Sequence, residues 1–166
     1  MVDNNIILQK LTQHFGPNIK NIEDSFGIST ITIDSHKNVE VIKLLFDDEE
    51  LQFRFLTDLC GINYPEKTNN ELGVIYHLHS FTTNTRIRIK VFVSKANPIV
   101  KSLTGIFASA NWMERETYDF YGIIFGGHPN LKRILNVDDM DYHPLLKEYP
   151  LEDRDRTDKQ DKFFGR

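Results

Sequence analysis

The stretch Arg86-Ile87-Arg88-Ile89-Lys90-Val91 alternates a cation with a β-branched residue without a break. Successive side chains of a strand point to opposite faces, so this run commits one face to a core and the other to water, as an antiparallel sheet with one wet side requires. Leu72 to Ser80 precedes it across the short segment Phe81 to Thr85. Together, Leu72–Ser80 and Arg86–Ser94 read as a β-hairpin. The cations of the second strand form a wet stripe, either a solvated face or a docking stripe for an acidic partner. The rest of the chain must cover the apolar side.

Ile7, Leu8, Leu11 and Phe15 recur at helical spacing, with Asp3 placed to cap that helix and Gly16-Pro17 to stop it. Ile28 to Asp34 is β-branched and alternating, hence a strand. Asn38 is expected to cap a second helix carrying Val39, Ile42 and Leu45 or Phe46, closed by the acidic run Asp47 to Glu50. Leu51 to Leu59 reads as a strand running into a loop at Cys60-Gly61 and Tyr64-Pro65. Ala108 to Tyr121 reads as a helix with Gly122 at its C-cap. Beyond it come a turn cluster at Gly126 to Asn130, a short strand or extended piece at Leu131 to Leu135, and an irregular remainder. The tail from Glu152 has no apolar periodicity before Phe163-Phe164, so alone in water it is expected to be unstructured. The fold class is therefore α+β: a single domain over residues 1–125, with a mostly antiparallel sheet packed by helices, then an extended C-terminal arm over 126–166 that wraps on something else.

Several function classes fall away. A net charge of -4 offers no general attraction to nucleic-acid phosphates. The longest apolar runs fall far short of the ~20 residues a membrane-spanning helix needs. The N-terminus lacks the basic and apolar regions of a secretory signal, and nothing in it resembles a transit peptide, which favours a cytosolic bacterial chain. Cys60, the single cysteine, supplies neither a disulfide nor the thiolates of an iron–sulfur cluster. Gly122, Gly126 and Gly127 lack dinucleotide-loop spacing, and no phosphate-cradling loop is present.

Chemistry-bearing candidates remain. His77 and His79 share one face of a strand and can offer two ligands to zinc or iron, but sequence places no third ligand beside them. No context activates Cys60, a thiol that reads as a small buried hydrophobe. His128 and His143 both precede proline, which suits turn or interface residues better than general bases. The helix from Trp112 to Tyr121 crowds Glu114, Arg115, Glu116 and Asp119 among Trp112, Met113, Tyr118, Phe120 and Tyr121, too tightly for a simple amphipathic helix. At least one of Glu116 and Asp119 is expected near apolar surface, needing a partner from Arg115, Arg133 or another protein. A locally satisfied salt-bridge cluster is the alternative.

Asn111-Trp112-Met113-Glu114-Arg115-Glu116-Thr117-Tyr118-Asp119-Phe120-Tyr121-Gly122-Ile123, followed by Gly127-His128-Pro129-Asn130-Leu131-Lys132-Arg133-Ile134-Leu135, closely resembles the signature of the 30 kDa subunit family of respiratory complex I. The likeness extends upstream through Phe55 to Pro65, Tyr76-His77-Leu78 and Arg86 to Val91. Downstream it runs through Asp138-Asp139, His143-Pro144-Leu145, Lys147 and Tyr149-Pro150. Two positions depart. Tyr142 stands where the family usually has Gly, and Leu146 where it usually has Arg. Since Tyr does not readily take a positive φ, the loop from Asp141 to Pro144 is expected to follow its own path.

The resemblance implies a non-redox structural subunit of the peripheral arm of a proton-pumping NADH:quinone oxidoreductase, on the cytoplasmic side of a bacterial inner membrane. It would pack on the D and B subunits of that assembly, with FMN and the iron–sulfur clusters in partner subunits and none in this chain. NADH and quinone would be reached only through the assembly. The expected partner interface comprises Trp112, Glu114, Arg115, Glu116, Tyr118, Asp119, Tyr121, His128, Arg133, His143 and Tyr149. Two readings compete: an accessory subunit of a related membrane-bound hydrogenase, and a free metal-dependent enzyme built on His77 and His79.

Overall fold

In the computed structural model, which describes residues 4–149, the chain runs α1 (Asn4–Phe15), β1 (Ile19–Ser25), β2 (Ile28–Asp34), α2 (Asn38–Asp47), β3 (Phe55–Asn63), β4 (Leu72–Ser80), β5 (Thr85–Val93), β6 (Ile99–Lys101), α3 (Ala110–Tyr121) and β7 (Ile124–Gly126). The Asp3 cap and the tail beyond Glu152 lie outside the described residues. The main sheet has the order β1-β2-β5-β4-β3, and all its pairings are antiparallel except β2 with β5. This is the mostly antiparallel α+β domain expected from the hairpin.

Alternation sets the two faces. Ile87, Ile89 and Val91 of β5 are fully buried beside Val74, Tyr76 and Leu78 of β4 and Ile31 and Ile33 of β2. Ile7 and Leu11 of α1 and Val41, Ile42 and Leu45 of α2 join the same cluster, so these helical stripes cover the apolar side. On the other face the cations have partners within the sheet. Arg88 donates from Nε to His77 Nε2 at 2.8 Å and from Nη1 to Thr30 Oγ1 at 3.3 Å. Lys90 pairs with Glu23 at 2.8 Å. The stripe is mainly a cross-strand network, with Arg86 left over.

Gly16-Pro17 ends α1 as expected, in a short 3-10 turn, Gly16–Asn18, and the strand that follows, β1, is an edge strand whose largely polar, exposed residues give no periodic signal. Three sequence expectations need correction. Asn38 is the first residue of α2 and makes no cap; its buried Nδ2 donates instead to Lys101 O at 2.7 Å and Tyr76 Oη at 3.3 Å, tying helix to sheet. Leu51 and Phe53 are fully buried, yet they precede β3. The Phe53 N–H returns to Leu45 O at 2.9 Å, so their apolar character reflects packing at the end of α2 and not strand pairing. The strand itself continues through Cys60-Gly61 to Asn63. Finally, Leu131 to Leu135 forms no strand, while β6 and β7 form a small parallel pair that is too short to show a pattern.

Candidate functional site: the charged aromatic helix and its arm

Helix α3 approaches β3 closely at Gly61. A Cβ there would press into the Tyr121 ring and lie 3.0 Å from Thr117 Cγ2. Gly122 ends the helix in the left-handed region at φ 75, donating its N–H to Tyr118 O at 2.8 Å. Both glycines do what a side-chain-bearing residue cannot, and together they fix the helix and the start of the following chain.

Asp119 organises the arm. It is fully buried, and its Oδ2 accepts the backbone N–H groups of Ile134, Leu135 and Asn136 at 3.0, 2.8 and 2.9 Å. Its Oδ1 accepts from Arg133 Nη1 at 2.7 Å and Asn136 Nδ2 at 3.0 Å. Burial by itself would raise the carboxyl pKa, but those backbone donors and Arg133 outweigh it and hold the group well below the usual carboxylate range. Arg133 then spans the next loop, donating from Nη2 to Met140 O at 2.7 Å and Tyr142 O at 2.9 Å. The His143 ring donates from Nδ1 to Asp119 O at 2.9 Å and lies edge-on to Tyr118.

Glu114 faces the other way. Also fully buried, it accepts from Ser102 Oγ and from the Leu103 N–H, both at 2.6 Å. Burial pushes its pKa up to about 7, against the lowering effect of those two donors. Arg115, nearly buried, donates to Lys132 O at 3.2 Å and Arg133 O at 3.0 Å, with its guanidinium 5.2 Å from the centre of the Trp112 ring. His128 donates to Asn111 O at 3.1 Å and accepts from the Asn130 N–H at 3.0 Å.

The structure therefore gathers the nominated residues at one end of the domain and divides them. Glu114, Arg115, Asp119, Arg133, His128 and His143 have partners inside the chain, and Tyr118 and Tyr121 are half-buried. Trp112 is 60% exposed, and Glu116 and Tyr149 are exposed as well. Glu116 borders a shallow groove with Asp58, Cys60, Tyr121 and Leu145. Of the counter-ions open from sequence, Arg133 is the one that meets Asp119. Sequence reasoning missed Ser102, Leu103 and Asn136, because backbone and small polar donors reach these carboxylates through folding alone. At the departing positions, Tyr142 needs no left-handed backbone: positive φ at non-glycine positions is confined, among the described residues, to Phe26, Gln52, Asn69 and Asn84. Leu146 is buried in the core, and Tyr142 and Tyr149 lie ring to ring at 4.9 Å.

A family model described as the respiratory-chain NADH dehydrogenase 30 kDa subunit matches residues 31–155. The chain belongs to that family. Among its relatives, the NADH-quinone oxidoreductase C subunit of Roseiflexus sp. is 41% identical over 99% of this chain and 95% of its own length. The equivalent protein of Citrifermentans bemidjiense is 40% identical over 94% of this chain and 95% of its own. Other relatives are longer: the chain spans only 44% of the one from Nocardioides, which is 49% identical over the shared part. A trypsin-resistant fragment of Nqo5 superposes with a TM-score of 0.64 at 26% identity, covering 77% of this chain and 98% of the fragment. A chain of an archaeal membrane-bound sulfane sulfur reductase superposes with a TM-score of 0.73 over 89% of this chain and 86% of its own, and at 16% identity shows the shared fold alone.

Proposed function

We propose that the chain is a structural subunit of the peripheral arm of an NADH:quinone oxidoreductase, holding no redox centre and supporting electron transfer from NADH to quinone coupled to proton translocation. FMN and the iron–sulfur clusters belong to partner subunits in this reading, and the nearest partners are the D and B subunits on the cytoplasmic side of a bacterial inner membrane. Among the described residues no helix is long and apolar enough to cross a membrane, so attachment would come through partners.

The observation that carries the reading is the division of labour on α3. Its buried ionic groups lock the arm to the domain, while Trp112, stiffened by Arg115 beneath it, remains exposed beside Glu116. A rigid aromatic on a braced helix is an interface anchor. The free metal-enzyme reading is disfavoured because the Arg88 guanidinium donates to His77 Nε2 and, among the described residues, no group of three or more His, Cys, Asp or Glu side chains is placed to hold a metal ion. The hydrogenase reading is disfavoured by the names of the relatives.

The test is recovery of the tagged full chain from its native membranes in mild detergent, with mass spectrometry and an NADH:quinone assay on the eluate. Cluster-bearing and membrane subunits with that activity are expected. A lone protein, or an assembly without NADH:quinone activity, would overturn the reading.

A further inference from the structure

The end of the main sheet where β3 and β5 begin holds aromatic side chains in water. Phe26 is 99% exposed, Phe81 69% and Phe55 45%. Topology sets them along that one end of the sheet. Because β2 runs parallel to β5, the β1–β2 turn stands beside the β4–β5 turn, while the register sets Phe55 opposite His79 and His79 opposite Arg86. The Phe81 ring lies 5.1 Å from Phe55 and 4.6 Å from His79, and Phe26 shares one recess with Arg86.

Phe26 is costly where it stands. With φ 56 at Phe26 and 73 at Gly27, the β1–β2 turn has the backbone of a type I′ hairpin, whose central positions favour Asn, Asp and Gly. A bulky residue in the left-handed region is strained, and at this exposure it gains nothing from burial within the chain. Beside it, Arg86 has no ion pair among the described residues, whereas Arg88 and Lys90 are engaged by His77 and Glu23.

We propose that this end of the sheet docks a partner protein whose surface offers an apolar recess to Phe26 and Phe81 and a carboxylate to Arg86. The inference rests on the chain being part of an assembly, and it adds a second contact region, separate from α3. An anionic bilayer is the poorer occupant: a membrane patch of this kind relies on a cluster of cations, while here there is one unpaired arginine, and the β1–β2 turn carries the acidic Asp24, which accepts the Gly27 N–H.

The experiment compares recovery of the assembly from membranes by tagged full-length wild type, Phe26→Asn, Phe81→Ser and Arg86→Glu. Phe26→Asn supplies a residue the turn prefers, so the isolated variant should unfold at an equal or higher denaturant concentration. Its recovery of partner subunits under a stringent wash should nevertheless fall roughly tenfold, as for loss of an interface anchor, with Phe81→Ser and Arg86→Glu falling similarly. Recovery equal to wild type for Phe26→Asn and Arg86→Glu would overturn the proposal. So would loss of binding to phosphatidylglycerol vesicles with assembly intact. If wild type itself recovers no partner subunits, the assembly reading fails first, an outcome distinct from either.

Discussion

Arg133 and Asp119 form a buried ion pair at 2.7 Å in which each group also holds backbone of the arm: Asp119 accepts the N–H groups of residues 134–136, and Arg133 donates to the carbonyls of Met140 and Tyr142. One carboxylate thus anchors the whole path from the end of α3 to His143. Asp119→Asn would turn an NH2 group toward existing donors and leave Arg133 buried without its counter-charge. Removing one member of such a pair costs about 3–5 kcal/mol, which for a chain of this size lowers Tm by about 2–4 °C per kcal/mol. Thermal unfolding of wild type and variant at neutral pH checks it. An unchanged Tm would mean that the arm is held elsewhere.

The same pair gives an acid limb. Asp119 has a folded-state pKa depressed below its unfolded value, so its stabilisation is fully present above the unfolded value and is lost as pH falls through the folded one. Wild type should therefore lose stability below about pH 4, and Asp119→Asn should lose less over the same interval. Parallel denaturant midpoints for the two proteins from pH 5 downward would contradict this.

Glu114 works in the opposite direction. Its folded pKa of about 7 lies above the unfolded carboxyl value, so the folded state holds the proton more tightly and stability declines as pH rises toward 7. The size of the effect is on the order of 3 kcal/mol. Glu114→Gln keeps an acceptor for the Leu103 N–H and can donate to Ser102 Oγ, without a charge to bury. The variant should show a flatter profile between pH 5 and 8 and should match or exceed wild type at the alkaline end, as read from urea midpoints across that range.

Why Glu114 and Asp119 end up so differently was not legible from their spacing. The crowding of carboxylates and aromatics on one helix was visible, as was the need for a partner, and Arg133 was among the candidates. What sequence could not supply is which backbone amides converge on each oxygen, because residues 134–136 and Leu103 come from irregular segments without periodicity. The same limit explains the elements. Ile28 to Asp34 and the β4–β5 hairpin were readable because alternation there reflects burial, whereas β1 is polar and exposed, and β6 and β7 are three residues each. Leu51 and Phe53 misled in the other direction, since their burial comes from α2 and not from pairing.

Gly61 offers a packing test of how α3 is set on the sheet. Gly61→Ala would place a methyl against Tyr121 Cδ2, 2.8 Å from Cε2 and 3.0 Å from Thr117 Cγ2, so ring or helix must shift. Overpacking of this kind costs about 1–3 kcal/mol. Combining it with Tyr121→Ala should recover part of the loss, since the clashing ring is gone and the methyl fills some of the space left. A double-mutant cycle in denaturant measures the coupling, and additive losses would show that the close approach at Gly61 is not what positions the helix.

Trp112 separates folding from assembly. Exposed, with its ring facing the Arg115 guanidinium, it should be replaceable by alanine at a cost below about 1 kcal/mol, the range of surface substitutions and exposed cation–π contacts. Asp119→Asn, in contrast, should lower stability and assembly together, because it releases the arm. If α3 is the anchor of an interface, Trp112→Ala leaves the unfolding midpoint of the isolated chain nearly unchanged while sharply reducing its recovery with membrane subunits, and Trp112→Phe restores part of that recovery. A Trp112→Ala chain that assembles normally would move the interface away from this face of the helix; one that also unfolds early would show that Trp112 supports the fold of its own chain rather than a partner.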